Sequence, residues 1–361
     1  MSLNKPIKIL YAPYNIASMP AITIDELNAS QDIIARGVCI DYNQYISFGI
    51  DPKKNWKVFK VDSNIRKPFL YLINLICAEF YLIKYIIWAD AIIWQWDIKV
   101  YMPHYWLIKI LKKPILVEWL GSDIRVPEFV IKHNPYYKKA LGSGTYTYTR
   151  ESLNRSNQIQ KKFKKLNATP ILCPEMSLYL NPNIFETFEP IFQRIDINKF
   201  NIRYPDANKS IPIICHTPSA TGAKGTIEVR KIMDRLKLNY SFEYVEITNK
   251  SHAEAIQAIE QCDIYLDQFI LGAYGMAACE AMSMGKPVFC YLMDPVINSL
   301  PKDCPIVNAN LNILESLLLQ YIEDGKLRYN SGIKSRLYVK NYHEVSNQTK
   351  RILAIIMNLT N

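Results

Sequence analysis

The chain has 361 residues, enough for two domains and too many for a single small module. With 49% hydrophobic and 21% charged residues its composition is that of an ordinary globular protein, which excludes wholesale disorder and a disulfide miniprotein. The net charge of +10 lies in one half: residues 1–205 carry 27 basic and 17 acidic side chains, and the remainder is neutral. A basic first half suits phosphates, nucleic acid or an anionic membrane surface, and is equally the mark of a solvated basic face. The eight cysteines form no C-x-x-C pair and read as free thiols of a reducing compartment. The N-terminus enters a strand-like run with no signal core, so a cytoplasmic location is expected.

Short β-like runs alternate with helical stretches along the chain, which predicts an α/β fold of two consecutive doubly wound parallel sheets. In the first series the strand candidates are 7–12, 38–41, 91–96, 114–120 and 169–174, with helices near 23–36, 68–88, 103–112 and 151–166. Residues 68–90 come nearest to a membrane span, but Glu79 and Lys84 interrupt them and a buried helix is expected, with an exposed apolar side as the alternative. The cluster Lys53, Lys54, Lys57, Lys60, Arg66 and Lys67, just before that helix, would supply attraction to anionic lipid. Residues 133–150, rich in Gly, Tyr and Lys, read as loop. A polar linker at 201–210 precedes a second series of strands at 211–216, 241–247, 263–268 and 287–292, separated by helices near 224–237, 251–261 and 276–284. Helical patterns fill the chain from about 311, and the last helix is placed to cross back to the first domain. The expected division is 1–205, 206–340 and a C-terminal helix within 341–361.

Four segments carry candidate chemistry. In 267–291 an apolar strand runs into a Gly-containing loop and a helix whose first N–H groups, those of Gly275, Met276 and Ala277, make an anion site. Glu280, one turn in, can accept two hydroxyl hydrogen bonds from a ribose or sugar, or serve as a structural acid favoured by the helix dipole. In 215–229, Thr217, Ser219, Thr221 and Gly222 offer hydroxyls and amides, and Lys224 can reach a diphosphate; a capped turn is the alternative. The turn 117–125 presents Gly121, Ser122, Asp123 and Arg125, with Asp123 either orienting a hydroxyl or capping its turn. The first βα turn offers Asn15 and Ser18 where ligands of open parallel sheets collect. No Asp-x-Asp, P-loop, dinucleotide or nucleophile-elbow motif occurs, and no spacing suggests zinc. His216 ends a strand beside the 217–224 loop and is expected to be a satisfied core histidine.

The run GAYGMAACEAMSMGKPV resembles the nucleotide-sugar signature of the retaining family 4 glycosyltransferases of the GT-B fold. Tyr274 and Gly275 match the family's loop, and Glu280, Ala281, Met282, Gly285, Pro287 and Val288 match the stretch after that loop. Gly272 stands where the family has its first glutamate. Lys224 and Gly225 fit a Lys-Gly step whose preceding arginine is absent here, and Leu120 replaces a histidine of the turn at 120–125. The resemblance implies two Rossmann-like domains facing a cleft, the second holding a nucleotide-diphosphate sugar and the first a saccharide or lipid-linked acceptor. It implies Asp123 and Lys224 as catalytic residues, with Thr217, Ser219, Gly222, Lys224, Thr248, Tyr274, Gly275, Met276, Ala277 and Glu280 at the donor. Asn15, Ser18, Gly121, Ser122 and Arg125 would lie on the acceptor side. It further implies retention of the anomeric configuration, no metal, no cofactor beyond the donor, no nucleic-acid partner, and a cytoplasmic enzyme that leaves room for a peripheral place at an anionic membrane. The three departures from the pattern support a rival reading, a non-catalytic nucleotide-sugar- or glycan-binding relative.

Overall fold

In the computed structural model, described over residues 5–41, 50, 54–61, 68–146, 148 and 150–360, the chain forms two α/β units. The first comprises Met1–Arg125, Glu151–Arg194 and Val345–Asn361, the second Val126–Arg150 and Ile195–Glu344. The sequence division at 205 therefore differs from the structural one in two places: residues 126–150 join the second unit, and its main segment begins at Ile195.

Among the described residues, the first unit holds a seven-stranded parallel sheet built from β1 (Ile7–Ala12), β2 (Ile33–Asp41), β3 (Trp56–Lys60), β4 (Ala91–Gln95), β5 (Ile115–Glu118), β6 (Thr169–Leu172) and β7 (Glu189–Pro190). Their order is β3-β2-β1-β4-β5-β6-β7. The central strands read as unbroken apolar runs because helices cover both faces of the sheet, and Ile9, Ile93 and Leu116 are buried with Ile24 of the Met19–Leu27 helix. The C-terminal helix Val345–Thr360 completes this core with Ile352 and Ile356. β2 is longer than its sequence signal, and takes up residues read as the end of a helix near 36.

The second unit holds a five-stranded parallel sheet of β8 (Ile213–His216), β9 (Glu243–Glu246), β10 (Ile264–Leu266), β11 (Val288–Cys290) and β12 (Val307–Asn308), in the order β12-β11-β10-β8-β9. Ile214, Leu266 and Phe289 from the strands pack with Val229, Ile232 and Met233 of the Thr226–Leu236 helix and with Leu314 and Leu318 of the Leu314–Glu323 helix. The helix Pro127–His133 ends where the segment expected to be loop, 133–150, begins, and that segment instead carries a second helix, Pro135–Gly142. Each begins with proline at its first position, where the missing N–H costs nothing, and Asn134 caps the second by accepting from Tyr137 N at 2.9 Å.

The helix at Pro68–Trp88 forms, but it is not buried. Ala78, Leu82 and Ile86 face inward, whereas Phe69, Ile76, Phe80 and Ile87 are each 59% or more exposed. It is long and apolar enough to cross a membrane by length and composition. Lys53, Arg66 and Lys67 of the basic cluster lie outside the described residues.

Candidate functional site

In the second sheet the chain runs from β8 to β9 on one side and then returns to β10 on the other. The order of strands thus reverses between β8 and β10. Ligands of open parallel sheets collect at the strand C-termini beside such a reversal, where two consecutive loops diverge and leave a crevice. The two loops here are 217–220, leading to the Thr221–Lys224 helix, and 267–275, leading to the Met276–Ser283 helix.

One acid ties these loops together. Asp267, directly after β10 and buried, accepts from Lys224 Nζ at 2.6 Å through one oxygen and from Gly275 N at 2.9 Å through the other. A Cβ on Gly275 would lie 3.6 Å from Lys224 Nζ, so the ammonium stands at the mouth of the Met276–Ser283 helix. The Lys224 side chain keeps 12% exposure. Of the three N–H groups expected to face an anion, that of Gly275 is taken by Asp267, and those of Met276 and Ala277 remain in the first turn ahead of the helix's own ladder. Asp267 is the residue that sequence reasoning missed. Its signal was an acid closing the apolar run DIYLD, at the end of the strand where sites form.

Glu280 lies in the same helix, and its carboxylate meets His252 Nε2 at 2.7 Å. That hydrogen bond, together with the carboxylate's charge, raises the His252 pKa above its ordinary value against a smaller opposing effect of burial. His252 opens the His252–Gln261 helix, which Ser251 and Glu254 fix with a capping box. Thr217 shares a hydrogen bond with the buried Tyr265 hydroxyl at 2.8 Å; Ser219 is exposed, and Thr248 follows β9 half-buried. His216 is the core histidine expected: one ring nitrogen meets Leu266 O at 2.8 Å, the other Thr226 Oγ1 at 3.0 Å, and burial lowers its pKa to about 4.

Two donor-side expectations find other duties. Tyr274 is buried, and its hydroxyl meets His343 Nε2 at 3.2 Å, so it anchors the loop inward. Gly222 is required by packing, because a Cβ there would stand 1.9 Å from Thr145 O. Gly272 likewise has a local cause: its φ of +77° is left-handed, and a Cβ would approach Asn134 Nδ2 to 2.8 Å.

The remaining expected residues belong to the first unit. Asp123 is buried and accepts from the N–H groups of Leu120, Gly121 and Ile124 at 2.9, 2.9 and 3.0 Å, which commits both its oxygens to the turn they close. Burial raises its pKa against those three bonds. Arg125 pairs with Glu151 at 2.6 Å, and Ser122 is half-buried in the same turn. Asn15 is buried and accepts from Ala21 N at 2.9 Å; Ser18 sits at φ +59° ahead of the Met19–Leu27 helix. The polar cluster at the ends of β1, β4 and β5 is a different one. The buried Arg194 reaches Glu118 at 2.6 Å, Tyr11 Oη at 2.9 Å and Thr23 Oγ1 at 2.7 Å, while Gln95 donates to Glu118 at 2.8 Å. Among the described residues no group of three or more His, Cys, Asp or Glu side chains is placed to hold a metal ion.

Comparison with solved structures decides the architecture. Sucrose-phosphate synthase from Thermosynechococcus elongatus superposes with a TM-score of 0.62 at 13% identity, covering 98% of this chain and 99% of that one. The fold is GT-B. A glycosyltransferase from Rickettsia africae gives 0.61 at 14% identity, covering 99% of each chain. HepE from Anabaena, solved in complex with UDP and glucose, gives 0.60 at 12% identity, covering 98% of this chain and all of that one. At these identities the likeness concerns the GT-B fold, two parallel α/β sheet units, and no more. No protein-family model and no curated protein sequence matches the chain.

Proposed function

We propose that the chain transfers a sugar from a nucleotide-diphosphate donor to a hydroxyl of a saccharide or lipid-linked saccharide in the cytoplasm. The observation that carries this reading is the Lys224–Asp267–Gly275 arrangement at the strand reversal of the second sheet. An ammonium has three N–H donors and Asp267 occupies one, so the others, with the N–H groups of Met276 and Ala277, suit the oxygens of a diphosphate. Glu280, held by His252, is the acceptor for ribose hydroxyls, with Thr217 and Thr248, which follow the neighbouring strands β8 and β9, as further donor-side contacts. Breaking the sugar–phosphate bond leaves a diphosphate with added negative charge. Fixed donors that meet this charge stabilise the transition state without a metal ion. The resemblance to family 4 adds retention of configuration, and the GT-B neighbours solved with UDP and UDP-glucose support a nucleotide sugar as donor. Asp123 contributes by holding the 120–125 turn that would carry Ser122 and Arg125 on the acceptor side.

A turnover assay across nucleotide sugars and saccharide acceptors tests the reading. Lys224→Ala is expected to lower transfer by about 10²- to 10³-fold, the usual effect of losing one such donor, and a chelator to leave the wild type unaffected. Activity abolished by chelator would overturn the metal-free chemistry. Gly272, which denies the site the family's first glutamate, favours a second reading as a nucleotide-sugar-binding protein; nucleotide binding without turnover on any pair would select it.

A further inference from the structure

The Pro68–Trp88 helix is apolar on two opposite sides. Its inner stripe, Ala78, Leu82 and Ile86, packs against β1, β2 and β3. Its outer stripe, Phe69, Leu72, Ile73, Ile76, Phe80 and Ile87, follows helical spacing over the full length and faces outward. The neighbouring Pro103–Leu111 helix packs beside it and extends the same surface with Tyr101, Trp106, Ile110 and Leu111, of which Tyr101 and Ile110 are each 73% exposed. Exposed apolar side chains gathered on two adjacent helices in this way mark an interaction surface.

The charges around the patch select its partner. Within residues 68–88 and 99–113 the only acid is Glu79. Its carboxylate turns inward, accepting from His104 N at 2.8 Å and meeting His104 Nδ1 at 2.7 Å. Three of the lysines stay outside, while Lys113 donates to the carbonyls of Ile87 and Ala89. Lys84 lies within the outer stripe with Nζ 5.8 Å from the Tyr81 ring, Lys109 holds Nζ 5.2 Å from the Trp106 ring, and Lys112 is exposed after the second helix. An apolar centre with exposed aromatic rings and lysines, and with its acid withdrawn, is complementary to the headgroup boundary of an anionic bilayer. A second copy of the same face would set lysine against lysine.

We infer that the outer face of these two helices docks the first unit on an anionic lipid surface, with its apolar side chains inserted and its lysines at the phosphates. The inner stripe stays on the sheet, so the helix lies in the interface and does not span. This differs from attraction by the 53–67 cluster alone, because apolar insertion is the larger part and persists at high salt.

Flotation of the full-length protein with phosphatidylcholine vesicles, with and without 30% phosphatidylglycerol, provides the test. The wild type is expected to float with the anionic vesicles, and Ile76→Ser/Phe80→Ser/Ile110→Ser to bind at least tenfold more weakly with unchanged UDP affinity and circular dichroism. Lys84→Gln/Lys109→Gln/Lys112→Gln should lose the preference for anionic over neutral vesicles, since each lysine contributes about 1 kcal/mol near such a surface. A wild type left unbound by both vesicles, or serine and glutamine variants that bind as the wild type does, would overturn the inference. A solution dimer dissociated by the serine variant would overturn it in favour of a second copy, and protein resisting alkaline extraction would overturn it in favour of a spanning helix.

Discussion

At the scale of single residues, burial decides what the polar groups can do. His216 is wholly enclosed and neutral, with both ring nitrogens satisfied. Its pKa falls from the ordinary value of 6.5 to about 4, so the unfolded chain binds a proton that the folded one refuses. The stability this contributes is complete above pH 6.5 and is lost as pH falls toward 4, by about 1.4 kcal/mol per unit and about 3 kcal/mol in all. Urea unfolding of the wild type and His216→Gln between about pH 4.5 and 7.5 should show that slope reduced in the variant; parallel curves would contradict it. Arg194 poses the opposite case, a buried cation matched by Glu118. Arg194→Met leaves the carboxylate enclosed without its partner and should cost about 3–5 kcal/mol, part of which Glu118→Gln in the same chain restores. Gly272→Glu, which recreates the family's first glutamate, forces a side chain into left-handed backbone beside Asn134 and should lower stability by at least ~1–2 kcal/mol in the same urea assay.

Whole elements show which parts of the fold were legible in the sequence and which were not. Strands β8 to β11 fall within their sequence runs because each is a short apolar block closed by polar residues, and the Lys224 and Glu280 segments come directly after their ends. Residues 133–150 read as loop for their Gly, Tyr and Lys content, yet Asn134 and Pro135 start a helix there, as Pro127 does just before it. Their partners lie far along the chain: Asn134 Nδ2 donates to Ile270 O at 2.7 Å, a contact no local pattern contains. Asn134→Ala removes both that bond and a helix cap, with an expected loss of about 1–3 kcal/mol by urea unfolding. Distance along the chain hid Asp267 in the same way, since only the pairing of β8 beside β10 brings it to Lys224. The outward face of Pro68–Trp88 stood only as an alternative to a buried helix, because composition shows that a helix is apolar and not which of its sides is covered.

At the scale of the molecule, the chain leaves each unit and returns to it, so neither unit is one continuous stretch of sequence. The last helix lends Ile352 and Ile356 to the first core, and Ile352→Ala should cost about 2–5 kcal/mol in unfolding monitored within that unit. In the second unit, the strand reversal places one acid-held lysine at a helix mouth, as a site for a diphosphate requires. Titration calorimetry of UDP against the wild type and Lys224→Met tests it most directly. A single site on the wild type, unaffected by chelator, is expected, with binding at least tenfold weaker in the variant; no binding to the wild type, or equal affinity in both, would contradict it.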